Sequence, residues 1–360
     1  MTHLVVARDA QTGREETFDF HNNTVTLRDE NGRLVKLDLG PADVHVDVPL
    51  ATYAVGYMRV QKNFIADIVA PVVPVDKASD KYFVWDKDDT FKQAQTTATV
   101  AGGNVQESTP AHSVTSYSTI QHAWSTFFPT EVEANADSPL QLKMRYTRLP
   151  VDKLTLAREL RVHTMVTTAA SYGADFKVTL AAGEKWNGGA SSDPIANIHD
   201  RMLKSLKPIT GMAMSEKTYF AFQRNAQVQK YIASKINVKP INMNPTEFAA
   251  LLELPPITIG REKWYNPTTS AYDYIWGNDV VLFTMPKTMP PMGDAISWNT
   301  FRWKGGTTAP GVTVDGGMAV RSFFQQERGT AGGTKVIVYH QDAEQFVADN
   351  VSGLIINAYQ

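Results

Sequence analysis

The sequence predicts an α+β fold, and three observations carry that expectation. Residues 151–171 have a helical apolar period set between helix start and stop signals. From residue 255 onward, short apolar runs recur between glycine and proline turns, as strands do. Between them in character lies 81–130, long and mostly polar, with no core pattern of its own.

The helix is read over 151–171 because Pro150 stands before it, Asp152 can cap it and Gly173 follows its end. Leu154, Ala157, Leu160, Met165, Val166 and Ala169 make a broad apolar face, with Lys153, Arg158, Glu159 and Arg161 mostly off it. A second helix is expected over 193–206, with Asp193 as cap and Pro194 at its first position. Residues 215–235 are expected to be helical in part, and 245–252 to form a short helix opened by Asn244.

The expected strands after 255 are 257–259, 274–276, 280–283, 301–303, 334–339 and 354–356. Gly305-Gly306, Gly316-Gly317 and Gly332-Gly333 mark turns between them. At the other end, 24–27 and 34–37 alternate apolar and polar residues around Asn31-Gly32, a strong tight-turn signal, so 1–42 reads as short β-hairpins. Such a ribbon is too small to be stable alone and must lie against something else. Residues 43–80 read as extended chain interrupted by Pro49, Pro71 and Pro74, with room for one short helix within 53–68.

The segment 81–130 opens with strand-like Lys81-Tyr82-Phe83-Val84-Trp85 and the charged run Asp86-Lys87-Asp88-Asp89. A stretch rich in Thr, Gln, Gly and Ser follows over 92–119, then strand-like 117–120. A polar excursion of this length is uncommon inside a compact domain, and it reads as an exposed two-stranded arm.

Composition narrows the functional classes. The chain has 360 residues, 43% hydrophobic and 20% charged, enough to bury a real core and outside the disordered range. A formal net charge of -2 gives no bulk positive charge for nucleic acid. The absence of cysteine excludes disulfides, thiolate metal sites and a cysteine nucleophile. The N-terminus lacks the pattern of a signal peptide, and apolar runs such as 280–283 are too short to span a bilayer. A chain free in the cytoplasm, with no membrane partner, is the expectation.

Catalytic patterns do not emerge. There is no phosphate-binding loop, no GxGxxG, no HExxH and no GxSxG. His163 follows Glu159 by four residues, the spacing of an ordinary helix-surface pair. Asp86, Asp88 and Asp89 resemble a calcium loop only in part, since the glycine and closing glutamate of an EF-hand are missing; a solvated or inter-subunit charge cluster fits better. No cofactor or metal is expected. Of the seven tryptophans, Trp264, Trp276 and Trp303 lie in strand patterns and read as core, whereas Trp85 and Trp124 stand near the two ends of the arm.

The order of segments resembles a known family. Asn63-Phe64-Ile65-Ala66-Asp67, then Val72-Val73-Pro74-Val75-Asp76-Lys77 and Lys81-Tyr82-Phe83, is similar to the opening of tailed-bacteriophage major capsid proteins. There a like run leads from an N-terminal arm into an extended loop. Phe128-Pro129-Thr130-Glu131-Val132-Glu133-Ala134-Asn135-Ala136-Asp137, before the long helix, resembles the return from that loop. Trp186, Asp193-Pro194, Thr210-Gly211, Tyr274-Ile275-Trp276-Gly277 and Leu354-Ile355-Ile356-Asn357-Ala358 fall in familiar order, so the resemblance covers roughly 45–360.

The resemblance implies the capsid fold shared by tailed phages, encapsulins and herpesviruses. It implies an N-terminal arm over 1–66 and a peripheral domain made of 67–80 and 131–190, with the long spine helix. The extended loop is then 81–130 and the axial domain 191–360. The implied function is structural: hexamers and pentamers of an icosahedral head enclosing double-stranded DNA, assembled in the host bacterial cytoplasm and present in the virion.

Implied partners are further copies of the chain, a separate scaffolding protein, a portal protein, packaged DNA and a decoration protein. Trp85, Asp86, Lys87, Asp88, Asp89, Lys92, Trp124, Arg158, Glu159 and Arg161 are the candidates for contact between subunits. Some family members cross-link a loop lysine to a neighbour's asparagine; Lys81, Lys87, Lys92 and Asn357 are present, without an identifiable matching environment. Residues 1–42 have no counterpart in the resemblance. Alternatives are an encapsulin-like nanocompartment shell, which a cargo-peptide groove would favour, and a β-rich hydrolase or sugar-binding protein, which a pocket with convergent carboxylates would favour.

Overall fold

The computed structural model describes residues 4–8, 15–19, 24–28, 34–37, 64–85, 112–135, 139–188, 191–235, 244–285, 296–305, 318–348 and 350–359. Asn31-Gly32, Asp86, Lys87, Asp88, Asp89 and Lys92 lie outside them, and of Trp85 only the backbone is described.

The hairpin reading of the N-terminal region holds for its strands. β1 (Leu4–Arg8), β2 (Glu15–Asp19), β3 (Thr24–Arg28) and β4 (Leu34–Leu37) form an antiparallel meander in chain order. The short helix expected within 53–68 is α1 (Ala66–Val69), followed by β5 (Val72–Val75) and β6 (Ser79–Trp85). β7 (His112–Ser118) pairs antiparallel with β6 from Ser79↔Ser118 to Trp85↔His112, the base of the expected arm. The arm is shorter than expected at its return. β8 (Ile120–Pro129) leaves the ribbon and joins the main body. α2 (Thr130–Ala134) follows it.

The long helix, α3, runs from Pro139 to Thr167 and contains Pro150, where the sequence suggested a start after that proline. Proline at position 150 removes the amide that would bond the carbonyl of Tyr146. Here the Thr126 hydroxyl from β8 donates to that carbonyl at 2.7 Å, so the helix continues without an orphaned acceptor. At the other end the helix stops at Thr167, short of 171. Thr164, Thr167 and Thr168 turn their hydroxyls back onto the carbonyls of Leu160, His163 and Thr164, and Tyr172 Oη donates to Val166 O at 2.6 Å. A 3₁₀ turn at Ala169–Ser171 follows.

At about 1.5 Å per residue its 29 residues span about 43 Å, long enough to bridge two sheets. The first sheet is built on β17 (Gly333–Phe346). β16 (Ala319–Gln325) and β8 lie on opposite edges of its first part, and β15 (Trp298–Trp303) pairs with its second. β5 adds to β15 in parallel. Val151 and Leu154 of α3 pack here with Phe128, Met318, Val320, Val336 and Val338.

The second sheet has the order β11 (Ile257–Gly260), β10 (Gly211–Ser215), β14 (Val280–Phe283), β18 (Gly353–Ile356), β9 (Lys177–Thr179). Its strands are apolar on both faces, which is why they read as continuous runs. Met212, Met214, Val280, Leu282 and Ile355 point to one core, while Ala213, Val281, Phe283 and Leu354 point to the other. The first core is closed by α4 (Pro194–Lys204), α5 (Glu216–Arg224), α6 (Ala226–Lys235) and α7 (Pro245–Leu251) through Ile198, Phe222, Val228, Ile232 and Phe248. The second is closed by Val162 and Val166 of α3, together with Ile65, Ala66 and Trp276.

Asp193 caps α4 as expected, its carboxylate accepting from Ala196 N–H at 3.1 Å. The expected strand over 274–276 ends early: β12 (Lys263–Asn266) and β13 (Ala271–Tyr274) form a hairpin, and Ile275 and Trp276 turn inward after it. Trp276 is core as expected, while Trp264 and Trp303 are only partly buried.

Candidate functional site

The chemistry of this chain concentrates where α1, α3, β15 and β17 meet. Arg158 and Glu159 are neighbours on α3, so their side chains diverge by about 100° around it and reach different partners. Glu159 is buried; its Oε1 accepts from Trp276 Nε1 at 2.6 Å and from Ile65 N–H at 3.0 Å, and its Oε2 from Ala66 N–H at 2.8 Å. Ile65 stands at the N-cap of α1 and offers no side-chain cap, so Glu159 satisfies the first amides of that helix from another element. The Trp276 indole reaches Glu159 across Gly260, where a Cβ would meet the ring at 2.2 Å. Burial raises the Glu159 carboxyl above its ordinary range, against the opposing pull of these three donors.

Arg158 reaches the other way. Its guanidinium pairs with Asp67 of α1, donates to Ala70 O and Thr300 Oγ1 at 3.4 Å each, and lies 3.8 Å from Asp342 Oδ2. Asp342 on β17 is gripped in two-point fashion by Arg302 of β15, at 2.6 and 2.7 Å. Burial pushes the Asp342 carboxyl up, but the hydrogen bonds and charge of Arg302, with help from His340 and Arg158, hold it at about 2.

His340 Nε2 is 3.4 Å from Asp342, and its ring lies 5.4 Å from that of His122, the residue directly opposite on β8. One turn along α3 from Arg158, Arg161 pairs with Glu344 at 2.9 Å. The arrangement therefore matches three arginines to three carboxylates inside one subunit. Burying such groups gains little net stability, but removing one partner is costly, so the network specifies how the 64–70 segment seats on the helix.

Two corrections to the sequence reading follow. Arg158 and Glu159, candidates for contact between subunits, are 6% and 1% exposed and bond within their own chain. Arg161 is partly buried and likewise paired internally. Charge alone suggested a solvated face, but the partners come from Asp67, Trp276, Asp342 and Glu344, all remote in sequence. His163 is not a surface partner of Glu159: it packs edge-on against Trp276 with ring centroids 5.6 Å apart, and burial lowers its pKa to about 4. Burial lowers His340 further, to about 3. Neither imidazole is poised as a base near neutral pH.

Trp124, another of the candidates, lies on the surface. It is 50% exposed on β8, near Ile120 at 64%. Sequence reasoning missed Asp67, Arg302, His340 and Asp342. The available signal was a charged residue inside an apolar strand pattern, as in Phe301-Arg302-Trp303.

A cleft of about 630 Å³ lies between α5, the start of α6 and the loop at Trp186, with Lys217, Arg224 and Tyr359 in its wall. Its lining contains no aspartate, glutamate or histidine, so it is not the pocket with convergent carboxylates that a hydrolase would need. Among the described residues no cluster of His, Asp or Glu could hold a metal ion, and no helix is long and apolar enough to cross a membrane.

No protein-family model matches the chain. It is 25% identical over 260 residues, 71% of its length and 79% of the relative's, to the major capsid protein of Burkholderia phage BcepMu. It is 27% identical over 222 residues to the major capsid protein of Pseudomonas phage JBD67, covering 61% of this chain and 69% of that one. Among solved structures it is similar to a phage-related protein from Bordetella bronchiseptica RB50, with a TM-score of 0.66 and 19% identity over 87% of this chain and 97% of the other. The capsid of cyanophage P-SCSP1u is also similar, with a TM-score of 0.52 and 10% identity over 82% and 88%. The α+β architecture built around α3 is the fold of phage capsid proteins.

Proposed function

We propose that this chain, a capsid shell protein of the tailed-bacteriophage type, assembles through hexamers and pentamers into an icosahedral head that encloses double-stranded DNA. The observation that carries the reading is the sequence relation to two phage major capsid proteins over 71% and 61% of the chain, together with the shared fold. Its role is structural, not catalytic.

On this reading 1–66 is the N-terminal arm and the extended loop begins with the β6–β7 ribbon. Residues 67–80 and 131–190 belong to the peripheral domain around α3, and 191–360 forms the axial domain with strands returning to the periphery. The product resides in the virion after assembly in the host bacterial cytoplasm. The same reading calls for a scaffolding protein, a portal protein and packaged DNA as partners, and it leaves room for a decoration protein on the outer face.

The test is electron microscopy of the expressed full chain, followed by nuclease treatment of particles taken from infected or induced cells. Closed shells that protect double-stranded DNA are expected. A chain that stays monomeric at every concentration and salt, or shells filled with a protein cargo, would overturn it.

A further inference from the structure

We infer that the outer edge of β8 is a docking strand, which receives an extended segment of a second copy of this chain by backbone pairing. The inference rests on the shell-forming role proposed above and names one of its contacts. Among the described residues β8 pairs only with β17, so one edge of a ten-residue strand is left without a neighbour.

Which main-chain groups lie on that edge follows from the register. Thr130 N–H donates to Gly332 O at 3.1 Å, so antiparallel alternation turns the even-numbered residues of β8 toward β17. The N–H and C=O groups of Gln121, Ala123, Ser125 and Phe127 then point outward. Thr119, on the same outward side, donates to Ala78 O of its own chain, so the open stretch begins just beyond it.

Exposed strand edges are ordinarily guarded by shortness, charge or proline, because an open edge recruits foreign strands. The other outer strands of the two sheets carry such guards. β5 has four residues and Pro74, β9 has three residues including Lys177, β11 has four, and β16 carries Arg321. β8 has none: Ile120-Gln121-His122-Ala123-Trp124-Ser125-Thr126-Phe127-Phe128 contains no charged residue, and its one proline, Pro129, stands at the very end. Beside the open edge, Ile120 and Trp124 offer apolar side chains that are 64% and 50% exposed. An unguarded edge with apolar flanks is what backbone augmentation by a partner strand requires. A protein that must associate in many copies has reason to keep one.

The test uses the full chain carrying a benzophenone photo-cross-linking residue in place of Ala123, mixed as isotope-labelled and unlabelled subunits, irradiated and mapped by mass spectrometry. Cross-links joining labelled to unlabelled chains are expected. Cross-links confined to one chain would mean that another part of the same chain covers the edge, and would overturn the inference, as would no cross-link at all.

A second variant, Ala123→Pro, removes an outward amide without touching the β17 ladder. It is expected to keep the wild-type circular dichroism while particle yield falls at least tenfold. If wild-type protein forms shells and neither the cross-link nor the loss of yield is seen, the edge assignment fails while the shell reading stands. If wild-type protein forms no shells, the shell reading fails, and cross-linking in concentrated subunits still decides the edge.

Discussion

At the scale of single residues, the buried imidazoles make the fold acid-sensitive. His340 is held neutral because burial opposes its charge, the nearby Arg302, Arg161 and His122 add to that opposition, and Asp342 beside it favours protonation without prevailing. Its folded pKa of about 3 lies below the ordinary 6.5, so the unfolded chain binds the proton first. The stability this contributes is fully present above pH 6.5 and is lost as pH falls toward 3. His163, at about 4, acts with the same sign, and Asp342, at about 2 against 3.8, extends the loss to lower pH. Each buried histidine should cost about 1.4 kcal/mol per pH unit within its window. Urea unfolding at pH 7, 6 and 5 should therefore show a falling midpoint, and His340→Gln should flatten the slope between pH 6 and 5 while lowering stability at pH 7. An unchanged slope in that variant would show that His340 takes up its proton in the folded state.

At the scale of elements, α3 depends on a strand it does not adjoin in sequence. Pro150 leaves the Tyr146 carbonyl without its helical donor, and the Thr126 hydroxyl takes that place. Thr126→Val should therefore cost about 1 kcal/mol in the natural background, the usual worth of one internal hydrogen bond. In a Pro150→Ala background the restored amide satisfies the same carbonyl, and the cost of Thr126→Val should shrink by about 0.5 kcal/mol or more. A double-mutant cycle measured by denaturant unfolding reads this coupling directly. Additive effects would mean that the hydroxyl does not stand in for the missing amide.

For the whole molecule, the separation of fold from assembly is the testable matter. Trp85 and His112 are cross-strand partners at the outer end of the described β6–β7 ribbon, so their backbones are close enough to be joined by a two-residue Asn-Gly turn. Replacing 86–111 in this way removes the polar stretch of the arm and keeps the β6–β7 pairing. The shortened protein should fold with a melting temperature within a few degrees of the parent, and it should fail to form closed shells by microscopy. Normal shells would show that the distal arm is dispensable. A net charge of only -2 leaves little repulsion between copies, so assembly of the parent should tolerate molar salt.

The sequence by itself determined what local physics controls. Asp193-Pro194 starts a helix because a carboxylate can cap the first amides and proline needs no donor there, and the structure places α4 at that point. The strands β11, β14, β15, β17 and β18 were legible because their side chains meet packed cores, whereas β12 and β16 were not read from the sequence; the polar character of 81–130 marked the ribbon that leaves the body. Only the tertiary structure decided the rest. It carried α3 through Pro150, by bringing in a hydroxyl from β8, and it returned β8 from the arm to the body by pairing it with β17 more than 200 residues downstream. It also drew Arg158 and Glu159 inside, since Asp67, Trp276 and Asp342 compensate their charge and donors from segments far away along the chain. A charged residue is read as exposed until its partners are known, and partners joined only by folding leave no local trace in the sequence.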